Sequence, residues 1–242
     1  MNSIRIWTPE SDFDSKTVRC IAQKIVEYYD SNITVLDSSK EAFNQAIKKT
    51  DSDGLKKAVD TYLISSELVI FLLDADGVQS EAKRLQEPNS LINRINRVVA
   101  QSQGKALLIL IRQELEAWLL VDCLGICCYF TTKNQQTRSD PQWVKFAKKH
   151  QIGKTDLIIE AESGGKNAKE YLVDLSKLIL KKINPQLKPK DLKKLQYEEN
   201  YSDKIAKELE INHPTIARND SLSEFAQHFK KKVDYSSEEA GF

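Results

Sequence analysis

Runs of apolar residues separated by helix-like spacing organise the first half of this 242-residue chain. Ser3 to Trp7 reads as a first strand. From about Ser15 to Tyr29, Val18, Ile21, Ile25 and Tyr28 recur on one helical stripe. "NITVLD" reads as a second strand, and a mostly helical segment follows from about Lys40 to Ser65, with a break at "DSDG" (Asp51 to Gly54). "ELVIFLLDADG" is a third strand. The helical spacing from about Ser80 to Gln103 is interrupted by Pro88, which kinks or restarts a helix. "KALLILI" (Lys105 to Ile111) is a fourth strand, and "QELEAWLLVD" opens a further helix.

The strand runs are continuously apolar rather than alternating, which predicts burial on both faces and hence a parallel sheet. The expected fold class is α/β, a four-stranded parallel sheet flanked by helices, over residues 1–130. Beyond about Phe130 the strand signals fade into polar loops and helices, among them Gly165 to Ile183, Ser202 to Glu210 and Leu222 to Val233. A smaller helical region, residues 131–242, is expected to pack on the core. The lysine-rich "LKPKDLKK" and "HFKKK" read as solvated helix faces.

With 36 Lys plus Arg against 35 Asp plus Glu, the formal charge is +1, so any basic surface is local. Cys20, Cys123, Cys127 and Cys128 have no paired metal-binding spacing and read as buried thiols of a reducing compartment. The start of the chain lacks the pattern of a secretory signal, and no apolar run approaches the ~20 residues that span a bilayer. A cytoplasmic protein with no membrane partner is therefore expected.

The candidate chemistry lies at the strand ends. Ligands of open parallel sheets bind beyond the carboxyl ends of the strands. The third strand ends in Asp74 and Asp76, two residues apart and so on one face. Two ionised carboxylates at ~4 to 7 Å repel by roughly 2 to 4 kcal/mol at an effective dielectric of 20. A hard divalent cation with oxygen ligands offsets that repulsion. The first strand exits through Glu10, Asp12 and Asp14, although Asp12 and Asp14 also suit the first turn of a helix. The fourth exits through Glu114 and Glu116, followed by Trp118 and Asp122. A helix would align Glu114 with Trp118 and Asp122, whereas an extended exit would align Glu114 with Glu116. A solvated glutamate pair beside a core tryptophan is the plainer alternative.

This ordered set, Glu, then Asp-x-Asp, then Glu, resembles the Toprim domain. "ESDFD" corresponds to the family's Glu-Gly-x-x-Asp through Glu10 and Asp14, with Ser11 in place of glycine, and "DADG" corresponds to its Asp-x-Asp. "ELEAWLLVD", "YSDKIAKEL" and "NDSLSEFAQHF" further resemble a small uncharacterised Toprim-like family often encoded beside an ATPase. The resemblance implies a Toprim-like, Rossmann-like sheet and magnesium- or manganese-dependent nuclease chemistry in a defence or repair system. It implies a catalytic set of Glu10, Asp14, Asp74 and Asp76. Asp74 and Asp76 would hold metal, Glu10 would ligate it or act as general base, and Glu114 or Glu116 would complete a second metal position. Nucleic acid, DNA ahead of RNA, is the expected partner, approached by Lys16, Lys83, Arg84 and Arg112. An ATPase partner and a homodimer are further expectations of the resemblance.

Other motifs fall short. "QIGKTD" lacks the P-loop glycine at position 148, which is Lys148. "DSDG" lacks the calcium-loop glutamate at its twelfth position, Tyr62. His150, His213 and His228 have no zinc spacing. Two rival functions are compatible with the acids: a Toprim-like interaction subunit without turnover, which Ser11 favours, and a receiver-like phosphoacceptor. The latter expects a lysine where this chain has Arg112.

Overall fold

The computed structural model describes residues 2–8, 12–37, 53–75, 78–158 and 166–230. Its sheet contains β1 (Asn2–Trp7), β2 (Ile33–Asp37), β3 (Leu68–Asp74) and β4 (Ala106–Ile111). The strands are all parallel in the order β2-β1-β3-β4. Parallel neighbours need crossover connections. Those described are α1 (Asp12–Tyr28) after β1, α2 (Asp53–Leu63) before β3, and α3 (Val78–Gln86) with α4 (Leu91–Gln101) before β4. The first half of the expected second helix, within residues 38–52, lies outside the described residues, as do the expected last helical residues 231–233.

The uninterrupted run of β3 divides between two cores because successive side chains of a strand point to opposite faces. Val69, Phe71 and Leu73 join Trp7, α2 and α4 on one face. Ile70 and Leu72 join Ile4, Ile6 and α1 on the other. Each of these five β3 residues is at most 4% exposed. At the Pro88 break, Ser90 caps α4, its hydroxyl accepting a hydrogen bond from the Asn93 amide at 3.3 Å.

After β4 the chain turns through Gln113, a buried non-glycine residue at φ 73°. Its side-chain amide donates to the Ile158 carbonyl at 2.8 Å, which holds the left-handed backbone in place. That turn delays the helix expected from "QELEAWLLVD". The helix occupies only Glu116–Leu119 (α5), and a second begins at Cys123.

The remaining chain is more helical than its polar composition suggested. It forms α6 (Cys123–Thr131), α7 (Asn134–Ser139), α8 (Pro141–His150), α9 (Ala168–Ile183), α10 (Pro189–Leu195), α11 (Ser202–Glu208), α12 (His213–Ile216) and α13 (Asp220–Gln227). Several are too short to display a helical period, and caps define them instead. Asp140 accepts from the Gln142 amide with Pro141 at the first position of α8. Asn212 and Thr215 form a reciprocal capping box on α12.

These helices extend the core on the α1 side of the sheet. A single cluster of buried apolar side chains runs from Ile4 and Ile21 through Trp118, Ile126 and Leu172 to Phe225 and Phe229. Gly125 of α6 lies against residues 208–209, where an added Cβ would fall 2.8 Å from the Glu208 carbonyl oxygen and 2.9 Å from Leu209 Cα. Only a hydrogen fits that approach. Asp122 fastens the same junction, accepting from Arg138 at 3.1 Å and from the Glu210 amide at 2.7 Å. Cys123, Cys127 and Cys128 are buried thiols and Cys20 is half-buried. No described helix is long and apolar enough to cross a membrane.

Candidate functional site

The β1–β3 pairing brings the carboxyl ends of two acidic strands side by side. Asp74 is the last residue of β3 and Asp14 lies in the first turn of α1, directly after β1. Both are half-buried, and they line one narrow cleft with Thr8, Val18, Leu72, Ile111 and Leu115. Hydrogen bonds fix its walls. The Ala75 amide donates to the Ile111 carbonyl at 2.9 Å, carrying the β3–β4 ladder past Asp74. The Thr8 and Ser15 hydroxyls are 2.8 Å apart and tie the end of β1 to α1. Arg84, in the last turn of α3, donates to the Asp74 carbonyl at 2.8 Å.

Glu116 is buried beside this cleft, and its carboxylate accepts a hydrogen bond from the Tyr197 hydroxyl at 2.9 Å. Burial pushes the Glu116 carboxyl above the ordinary glutamate range. The Tyr197 hydrogen bond and the Lys169 charge oppose that push, and the Asp14 charge adds to it. The Tyr197 phenol, buried and facing Glu116, is itself pushed far up. Its oxygen also lies 2.7 Å from the Ser202 hydroxyl.

Glu114 is directed differently, accepting from the Asn167 side chain and from the Lys169 amide, both at 3.2 Å, at the N-terminus of α9. An acid there complements the unpaired amides of the first turn. Neither helix nor strand governs the two glutamates, because the left-handed Gln113 turn precedes Glu114 and α5 begins at Glu116.

Comparison of the chain with protein-family models, curated proteins and solved structures finds no match. The site therefore has to be read from its own chemistry.

Asp14 and Asp74 are brought together, with Glu116 close enough to feel the Asp14 charge. Glu10 and Asp76 lie outside the described residues. Among the described residues no group of three or more His, Cys, Asp or Glu is gathered to hold a metal. The two cleft carboxylates suit a hard, oxygen-preferring cation in kind. Of the expected nucleic-acid contacts, Lys16, Lys83 and Arg112 are exposed, whereas Arg84 is half-buried against the strand exit.

Sequence reasoning missed three groups. Lys169 and Tyr197 reach the glutamates from the helical region, and no motif marks either. Asp156, inside the discarded "GKTD", is 6% exposed, and neither carboxylate oxygen receives a hydrogen bond of normal geometry. Burial raises its pKa, with the neighbouring Asp220 adding to the shift. A carboxyl with a raised folded-state pKa is least costly when protonated. Its contribution to stability is therefore fullest below the unfolded pKa and is lost as pH rises through the folded value. Asp156→Asn is accordingly expected to raise Tm at pH 7 by an amount corresponding to about 1 kcal/mol. The gain should shrink as the pH falls through the ordinary aspartate range, and thermal melts of both proteins from pH 3 to 8 measure it.

Proposed function

We propose that this chain is a magnesium- or manganese-dependent phosphodiester hydrolase of Toprim type acting on nucleic acid. The observation that carries the reading is the shared Asp14–Asp74 cleft at the carboxyl edge of a parallel sheet in which β1 and β3 are neighbours. In this reading Asp74, with Glu10 and Asp76, would hold the metal, and Asp14 would complete the acidic rim. The bound ion would polarise a phosphate oxygen and lower the pKa of an attacking water.

Around that centre, the chain's own groups have distinct tasks. Arg84 fixes the exit of β3 through the Asp74 carbonyl, so the carboxylate is presented from a rigid strand end. Glu116, raised by burial and oriented by Tyr197, is the described carboxyl best suited to hold a proton beside the cleft. Glu114 supports the N-terminus of α9, which makes Glu116 the better candidate of the two for chemistry. DNA as substrate, an ATPase partner and self-association follow from the family resemblance.

Purified protein with magnesium or manganese is expected to cleave a labelled DNA or RNA, and excess chelator should stop it. Calorimetry should show binding of the metal alone. Absence of both cleavage and metal binding up to ~10 mM would overturn the proposal in favour of an interaction subunit without turnover.

A further inference from the structure

The near-neutral charge of the whole chain conceals a segregated one. Residues 141–150 and 181–195 contain nine lysines and a single acidic residue, Asp191, so the rest of the chain is net negative. These segments are α8 ("PQWVKFAKKH"), the end of α9 and the α10 region ("KKINPQLKPKDLKKL"). All nine lysines are exposed. None belongs to an ion pair among the described residues, in contrast with Lys154, Lys166 and Lys169.

The first two of these segments meet directly, and the third follows α9 along the chain. Lys182 at the end of α9 lies over the rings of Trp143 and Phe146 on α8, 5.0 and 5.9 Å from their centroids. The Tyr171 hydroxyl of α9 donates to the His150 carbonyl at the end of α8. Trp143 and Phe146 stack edge to face at 5.6 Å and are only half-buried.

We propose that this lysine and aromatic surface is the docking site for the phosphodiester backbone of nucleic acid, which continues from it to the acidic cleft. The inference rests on the hydrolytic reading and supplies the affinity that the cleft lacks. Charge complementarity argues for the occupant: regularly exposed lysines on three elements neutralise phosphates without reading sequence. The half-buried Trp143 and Phe146 rings among them offer an edge on which a base can stack. Lys181 and Lys182 also suit the C-terminus of a helix. The same holds for Lys148 and Lys149 in the last turn of α8 and for Lys193 and Lys194 in that of α10, but not for Lys145, Lys188 or Lys190.

Helix α9 gives the surface its relation to the site. Its first turn carries Asn167 and Lys169 against Glu114, while its last turn carries Lys181 and Lys182. At 1.5 Å per residue, Lys169 and Lys182 are about 20 Å apart along the axis, roughly six base pairs at 3.4 Å each. Lys169 and Asp14 both act on the Glu116 carboxyl, so α9 links the lysines to the neighbourhood of the cleft.

The test is fluorescence anisotropy with labelled duplex DNA, single-stranded DNA and RNA, in chelator so that no cleavage intervenes. The triple variant Lys149→Glu, Lys182→Glu, Lys193→Glu is compared with wild type, and matched thermal melts and circular dichroism confirm its fold. The variant is expected to bind at least tenfold more weakly. The slope of log affinity against log salt should fall by about 0.9 per lost phosphate contact on duplex DNA. Unchanged affinity and slope, or no binding of any nucleic acid by wild type at 100 mM salt, would overturn the proposal. So would charge-dependent binding to phosphatidylserine vesicles without binding to nucleic acid.

The two readings separate cleanly. Cleavage that ignores the lysine changes sinks the docking surface alone. Lysine-dependent binding without cleavage under any metal sinks the hydrolytic reading alone.

Discussion

Asp74→Asn is expected to lower magnesium-dependent cleavage by about 10³-fold or more while leaving the fold intact. The substitution keeps the shape of the side chain and removes its charge. Backbone anchors at this point, the Arg84 bond to the Asp74 carbonyl and the Ala75–Ile111 ladder bond, do not involve the carboxylate. Loss of a metal-holding carboxylate forfeits several kcal/mol of transition-state stabilisation, and each 1.36 kcal/mol is tenfold in rate. Single-turnover rates of wild type and variant on the same substrate decide the matter, with thermal melts alongside. Equal rates would assign the cleavage to a contaminant and remove Asp74 from the mechanism.

Trp118→Ala is expected to destabilise the protein by about 3–5 kcal/mol, the cost of emptying a large buried site. Trp118 is 0% exposed and lies at the junction of α5 with α13, its ring centroid 5.1 Å from that of Phe225. Its indole N–H donates to the Ser221 hydroxyl at 2.9 Å, and Ser221 in turn donates to Asn219 at 2.8 Å. Trp118→Phe keeps most of the volume and leaves Ser221 without its donor, so a smaller cost of about 1–3 kcal/mol is expected. Denaturant melts of both variants measure the difference. A loss below about 1 kcal/mol for the alanine variant would contradict this tryptophan's role in joining the helical region to the sheet. The Trp of "ELEAW" is therefore a packing residue.

How much was legible follows the same physics. The strands were readable because a run such as "VIFLL" has one stable placement, buried on both faces of a parallel sheet. Pro88 announced the break between α3 and α4, and the structure added Ser90 as the cap that restarts the helix. The short helices α7, α8, α10 and α12 were not readable as a group. Their four to ten residues carry little periodicity, and caps and docking rather than propensity sustain them. For the candidate site, the sequence placed Asp14 and Asp74 at strand exits but contained no information on which exits adjoin.

The sequence by itself therefore determined the α/β class, the strands and the acidic character of their ends, because local apolar pattern and turn chemistry act over a few residues. Tertiary structure alone decided that β1 neighbours β3, that Asp14 and Asp74 face one cleft, and that Glu114 and Glu116 part ways. It also decided that Tyr197 and Lys169 reach back to them from the helical region. Those facts depend on strand order and on contacts between residues 53 to 81 positions apart, and no local pattern encodes such closures.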